Sequence, residues 1–297
     1  MQFVFFVVAP FFHDNGGVQL WPAAMSATPG LLIDPLRLRD LLGETCVRFA
    51  VDSIADCEST NTLLLARVEQ GAPAGSVIVA DHQSAGRGSR GRRWIAAPHA
   101  SLTFSVLWRF PGSTERLAGL SLAVGVAAVR ALEACAARGI MLKWPNDILH
   151  GDAKLGGILV EIQTDPQADR GGALAVIGIG INLSLPPNID GGERFAIAPA
   201  ALDGILFPPP ERNVLLAQLL IALADVFDRF AAGGFAALRD GWQARHAWQD
   251  RPVRVLRNGR VENEGICRGA DSDGALLLQT AAGIERCLSG DVSLRSA

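Results

Sequence analysis

Between residues 86 and 94 the chain reads GRGSRGRRW, with Gly86, Gly88 and Gly91 set among Arg87, Arg90, Arg92 and Arg93. Guanidinium forks grip phosphate or carboxylate oxygens two at a time, and glycine lets a backbone approach such a ligand closely. The spacing also satisfies G-x-G-x-x-G. That pattern marks a dinucleotide loop when its third glycine enters a helix and an acidic residue follows about 20 positions later. Neither condition holds. Gly91 runs into RRWIAAP, where Pro98 stops any helix, and no Asp or Glu occurs from 92 to 114. Nucleic-acid tracts rich in Arg and Gly sit in low-complexity sequence, whereas this one lies between two strand candidates. The 297-residue chain has a net charge of −3, so it presents no overall basic field to nucleic acid. What remains is either a solvated surface loop or, as four arginines with three glycines favour, a hinged, cationic flap for a phosphate-bearing ligand.

Other residues could share that chemistry. Lys154 stands where the loop HGDA meets the strand LGGILVE, either as a cation on a rigid edge or as a solvated strand-end lysine. In KWPND, Pro145 fixes a turn flanked by Lys143 and Asp147. Asp147 either stabilises that turn or binds Mg2+ on a polyphosphate, with waters completing the octahedron. Gly178 and Gly180 are either bulge glycines or places where a ligand lies against the strand. Trp94 ends the flap as a cover for the ligand or as core. The five cysteines are scattered without a C-x-x-C pair and read as reduced thiols of a cytoplasmic protein; the histidines lie too far apart for structural zinc.

These residues need elements to hold them. PLRLRDLL reads as a helix and VRFAVDSI as a strand. TNTLLLARVEQ is a helix with Ser59, Thr60 and Asn61 as candidate caps and Gly71 at its end. GSVIVADHQ is a strand feeding the flap. SLTFSVLWRF alternates Leu102, Phe104, Val106 and Trp108, a half-buried strand. A buried Ala/Leu/Val helix runs from Glu115 to Arg138. IMLKWPNDIL, KLGGILVEIQ and ALAVIGIGINLSL follow with no room for helices between them, so they form hairpins or a meander. DPQADRGG is a hairpin loop, residues 185–210 are a proline-rich connection, and 211–248 are helical again.

From residue 250 onward short strands alternate with turns at Asn258-Gly259, Asp273-Gly274 and Ala282-Gly283. The class is α+β, with a mixed, largely antiparallel sheet, in three parts: an extension at 1–30, a main domain at 31–249 and a β module at 250–297. No Lys or Arg precedes the first apolar run, Pro10, His13 and Asp14 interrupt it, and Met25 opens an ordinary start. The longest other apolar run, 117–129, has 13 residues, too short to span a bilayer.

The motifs ESTN (58–61), Q-SAGRGSRGRRW (83–94), KWPNDIL (143–149), KLGGILVE (154–161) and IGIGINL (177–183), with GALLLQ and GDVSLRS near the end, stand in the order and spacing of the biotin protein ligases. The chain resembles that family over residues 45–297. The resemblance implies a catalytic domain like that of class II aminoacyl-tRNA synthetases and an SH3-like C-terminal β-barrel. It also implies that biotin and ATP form biotinyl-5′-AMP and pyrophosphate with Mg2+. The biotinyl group then passes to one lysine of a biotin carboxyl carrier domain of acetyl-CoA carboxylase or a related carboxylase.

On the resemblance, Lys154 and Arg87 are catalytic. Ser59, Thr60, Asn61, Gln83, Arg87, Gly88, Ser89, Lys154 and Gly178 bind biotin, with Ser59, Thr60 and Gln83 on its ureido ring. Arg90, Arg92, Trp94, Lys143, Asn146, Asp147, Asn182 and Arg295 bind ATP or the adenylate, and Asp147 takes Mg2+. Lipoate has no ureido group, so those same residues argue against a lipoate or octanoate ligase. Ser89 departs from the family's G-R-G-R and implies weaker retention of the adenylate. Too few residues precede the catalytic region for a DNA-binding domain, so no specific DNA binding is expected. A homodimer through a sheet edge stays open.

Overall fold

The computed structural model describes residues 33–165, 167, 172–185, 197–257, 259–289 and 292–296. The expected extension at 1–30, most of the 165–172 loop, half of the proline-rich connection and Asn258 lie outside them.

Asp34 caps α1 (Pro35–Leu42), its carboxylate accepting from the backbone N–H groups of Leu36 and Arg37, with a proline in the first turn. A 3-10 turn takes up residues 43–48, so β1 (Ala50–Cys57) starts later than the pattern VRFAVDSI suggests. The cap of α2 (Thr60–Glu69) is Ser59, and the helix crosses over to β2 (Ser76–Gln83), the parallel neighbour of β1. Every other neighbouring pair of strands is antiparallel.

β3 (Ser101–Pro111) is not half-buried: its first seven residues are buried, because it is a central strand covered on both faces. The long helix shortens to α3 (Leu120–Ala134), separated from a 3-10 turn by the left-handed Gly119. That turn and helix together, Thr114–Ala134, are long and apolar enough to cross a membrane, beyond the 13 residues counted in the sequence; 67% of the apolar window is buried inside the protein. The first meander strand divides at Trp144-Pro145-Asn146 into β4 (Ile140–Lys143) and β5 (Asp147–His150), followed by β6 (Ala153–Thr164) and β7 (Gly172–Asn182). The sheet order is β1-β2-β3-β7-β6-β5-β4. The helical stretch 211–248 resolves into α4 (Arg212–Gly233), a short turn and α5 (Arg239–Gln243). The residues after α5 run beside β4, with Leu142 bonded to Arg245 and Ala247.

The two faces of this sheet differ. Ala173, Ala175, Ile177, Ile179 and Ile181 of β7 join the large core with α3 and α4. On the opposite face Leu174 and Val176 pack with Leu64 and Val68 of α2, but the next positions in that direction are Gly178 and Gly180. β3 changes in step: Leu107 pairs with Val176, then Ser105 with Gly178 and Thr103 with Gly180. Side chains shrink and turn polar where α2 begins, so a hollow opens beside its N-terminus.

β8 (Pro252–Arg257), β9 (Arg260–Ala270), β10 (Leu276–Thr280), β11 (Gly283–Cys287) and β12 (Val292–Ser296) form the five-stranded antiparallel sheet of the SH3-like module, in the order β11-β10-β9-β8-β12. The module presses against the main domain. The Trp144 indole N–H donates to the Gly274 carbonyl at 3.1 Å, and a Cβ on Gly274 would lie 2.6 Å from the Gly119 Cα.

Candidate active site

The hollow is a cavity of about 550 Å³ over β3, β6 and β7, walled by the start of α2, the flap, the β4–β5 hairpin and β12. One end is neutral. The Gln83 carboxamide oxygen accepts from the Thr60 backbone N–H at 2.7 Å and lies 3.1 Å from the Thr60 hydroxyl. Ser105, wholly buried, places its hydroxyl 2.7 Å from the Thr60 hydroxyl and 2.5 Å from Asn61 Oδ1. Asn61 lies directly over Gly178: a Cβ there would meet Oδ1 at 2.3 Å. Gly178 therefore makes room first for a protein amide.

The flap closes on itself. Arg87 and Arg93 form a β-bridge, Gly88 N–H donates to Arg92 O at 2.7 Å, and Trp94 N–H to Gly86 O at 2.9 Å. Gly86 is required by that approach, since its Cβ would lie 2.4 Å from the Trp94 carbonyl. Arg90 adopts a left-handed φ of 62° in the turn. At the far side Trp94 lies over Gly180, whose Cβ would be 2.6 Å from the indole, and its buried ring N–H has no partner among the described residues.

The other end is cationic. The Lys143 ammonium donates to Asp147 Oδ2 at 2.8 Å, while Lys154 Nζ makes an ion pair with Oδ1 at 2.5 Å whose alignment is not that of a hydrogen bond. Burial by itself would raise the Asp147 carboxyl. The two ammonium groups outweigh it and hold the group well below the ordinary carboxylate range. Asn182 fixes the strand beneath Lys154 by donating to the carbonyls of Lys154 and Ala200. Asn146 donates to the Ile158 carbonyl at 2.7 Å, and its own buried oxygen has no partner among the described residues. Arg295, from the C-terminal module, reaches the same wall and feels the charges of Arg92 and Asp147.

Of the residues expected from sequence, Ser59, Thr60, Asn61, Gln83, Arg87, Gly88, Ser89, Arg92, Trp94, Asn146, Asp147, Lys154, Gly178, Asn182 and Arg295 line this one cavity. Arg90 and Lys143 do not. Arg90 sits in the turn of the flap, and Lys143, 2% exposed, stands behind Asp147. Sequence reasoning missed Thr103, Ser105, Gly157 and Glu161, and took Arg93 only as one of the four flap arginines. The signal was present in SLTFSV, whose alternate polar residues are buried instead of solvated: Thr103 lines the cavity and Ser105 supports Thr60 and Asn61 from beneath. Among the described residues no group of three or more His, Cys, Asp or Glu could hold a metal ion. Asp147, with both oxygens against ammonium groups, does not fit as a ligand for Mg2+ in this arrangement.

Five cations (Arg87, Arg92, Arg93, Lys154 and Arg295) share the wall with Asp147, and Glu161 just behind is paired to Arg87. With Lys143 behind Asp147 counted beside Glu161, that leaves a surplus of four positive charges among the described residues, in a chain whose net charge is −3. Like charges concentrated around a cavity are stable when an anion sits among them.

Residues 54–182 match the biotin/lipoate A/B protein ligase family, and residues 250–295 the biotin protein ligase C-terminal domain. Over 266 residues the chain is 34% identical to the biotin–[acetyl-CoA-carboxylase] ligase of Mycobacterium tuberculosis, covering 88% of this chain and 95% of that one. Over 240 residues it is 36% identical to the bifunctional ligase/repressor BirA of Salmonella typhimurium, covering 81% and 72%. The biotin protein ligase of Aquifex aeolicus in complex with biotin and ATP superposes with a TM-score of 0.68 at 27% identity, over 82% of this chain and 97% of that one. With the cavity built from both matched segments, the chain belongs to the biotin protein ligase family and is a biotin protein ligase.

Proposed function

We propose that the enzyme works in two steps within this cavity. A carboxylate oxygen of biotin bonds to the α-phosphorus of ATP as the bond to the bridging oxygen breaks, giving biotinyl-5′-AMP and pyrophosphate. The amine of an acceptor lysine then bonds to the acyl carbon, AMP leaves, and the nitrogen loses its proton to solvent. The acceptor is the carrier domain of acetyl-CoA carboxylase or a related carboxylase.

The observation that carries this reading is the division of one cavity into a neutral, hydrogen-bonding end and an end with surplus cations. Biotin's ureido ring needs the first, where Ser59, Thr60 and Gln83 offer donors and acceptors and discriminate against rings that cannot pair. The meeting of a carboxylate with a triphosphate needs the second. Lys154, held by Asp147, and Arg92 and Arg295 stabilise charge on the phosphates by position. Mg2+, which would supply further charge neutralisation on the polyphosphate, would be carried by the nucleotide and not by Asp147. Trp94 and the flap cover the anhydride and keep water from it.

The test is biotin-dependent exchange of labelled pyrophosphate into ATP, which needs no acceptor. Wild type should exchange, and Lys154→Ala should lose about a hundredfold or more of that rate. Absence of exchange in folded wild-type protein would refute the reading.

A further inference from the structure

Glu161 has no packing reason to be where it is. It pairs across the sheet with Val176, which pairs in turn with Leu107, and both are buried apolar residues beneath α2. A carboxylate at the end of that row needs polar partners, and it has them from two different elements. Arg87 clasps it with both guanidinium nitrogens, Nη2 at 2.8 Å from Oε1 and Nη1 at 3.0 Å from Oε2. Asn61, 3% exposed, donates its amide to Oε2 at 2.9 Å. Asn61 is in turn bonded to Ser105 and lies over Gly178.

We propose that Glu161 is a positioning residue that ties the root of the flap to the floor of the neutral end, so that flap closure and the placement of Asn61 are one event. With both of its terminal nitrogens on Glu161, Arg87 is the anchor of the closed flap. The charge offered to an anion comes from Lys154, Arg92, Arg93 and Arg295. A lone pair as exposed as this one, at 45% and 25%, contributes little. The fork geometry and the buried third partner make it directional and couple it to the floor.

The reach of this idea to retention of the adenylate rests on the ligase reading; the tether itself does not. Glu161→Gln keeps the size and an oxygen for Asn61 but removes the charge that holds the fork. In the ligand-free full chain, trypsin should cut after Arg90 and Arg92 about threefold faster in Glu161→Gln than in wild type, the factor a weak charged pair supplies. The thermal midpoint should stay unchanged. Arg87→Ala should be cut as fast as the double variant Arg87→Ala/Glu161→Gln, since the two changes break one interaction. Pyrophosphate exchange should show a raised KM for biotin with kcat retained. Cleavage of Glu161→Gln at the wild-type rate, or additive effects in the double variant, would overturn the tether. Should Glu161→Gln not fold, Arg87→Gln breaks the same pair from the exposed side and is judged by the same cleavage. Failure of the ligase reading shows separately, as no exchange in wild type, while the cleavage test still decides.

Discussion

At the neutral end of the cavity the polar groups of Thr60, Asn61, Gln83 and Ser105 pair with one another. At the cationic end a single carboxylate on the wall, Asp147, stands among Lys143, Lys154, Arg92 and Arg295. The first is assembled from one helix N-terminus and the ends and middles of adjacent strands. The second gathers the flap, the β4–β5 hairpin, the start of β6 and the last strand of the C-terminal module. A neutral network can be complete before its ligand arrives, because hydrogen bonds satisfy it internally. A cationic cluster cannot, and its unbalanced charge is what an anionic ligand would neutralise. The difference suggests that substitutions at the two ends should fail in different ways.

Asp147→Asn should have the largest effect. It leaves the Lys143 ammonium, 1% exposed, with no counter-charge, and removing one partner of a buried pair costs about 3 kcal/mol. Urea denaturation should show that loss. Lys154→Ala should cost much less stability, because the Lys154 side chain is 26% exposed and Lys143 keeps its partner. Equal losses in the two variants would mean that Asp147 is not the keystone of this end.

Gly178→Ala strikes the opposite end. Its Cβ would lie 2.3 Å from Asn61 Oδ1, so the Asn61 amide must leave its place between Glu161 and Ser105. The KM for biotin should rise about tenfold, as expected for one extra carbon in a filled site, while the KM for ATP stays near wild type. A matching rise for ATP would show that the ends are not separable.

How much of this was legible before folding depended on how far apart the partners lie. The flap, KWPND and IGIGIN announced themselves because several chemistry-bearing residues stand within a few positions. The alternation in ALAVIGIGIN even records where α2 ends its cover and the hollow begins, once the register with β3 is known. Ser105 stayed hidden because serine at alternate strand positions reads as a solvated face, and only the start of α2, with Thr60 and Asn61, covers it. Lys143 and Asp147 were readable as a pair, but not that Lys143 would stand behind and Asp147 between two lysines. That depends on β6 pairing with β5 across a bulge. Arg295 came from resemblance alone, and its place on the wall is a matter of how two domains pack.

The support behind the cationic end can be tested by pH. His246 is buried, stacked on Trp242 with ring centroids 4.5 Å apart, and its Nδ1 lies 3.9 Å from Cys267 Sγ of the C-terminal module. Burial, with Lys143 adding to it, pushes the imidazole from 6.5 down to about 4. The folded state therefore binds fewer protons than the unfolded one below about pH 6.5. The stability is present above that value and is lost as pH falls toward 4, by about 2 kcal/mol at pH 5. His246→Gln should flatten the fall in thermal midpoint between pH 7 and pH 5. An unchanged slope would remove His246 from the account.

The smallest expected effect lies in the flap, where the two ends meet. The Ser89 hydroxyl accepts from Arg92 Nη2 at 3.0 Å and its carbonyl from Nε at 3.2 Å, so serine holds Arg92 in the turn but adds no charge. Ser89→Arg places another cation in the flap turn and removes one acceptor from Arg92. These act in opposite directions. The added charge should win, because the side-chain bond to Arg92 is exposed while the backbone one remains, and biotinyl-AMP should leave about threefold more slowly. Ser89→Ala separates the two contributions: it removes the acceptor without adding charge and should release the adenylate slightly faster than wild type. Equal release from wild type and Ser89→Arg would mean that cations at this turn do not act on the bound anhydride, and that retention depends on the Trp94 cover and the flap's anchor alone.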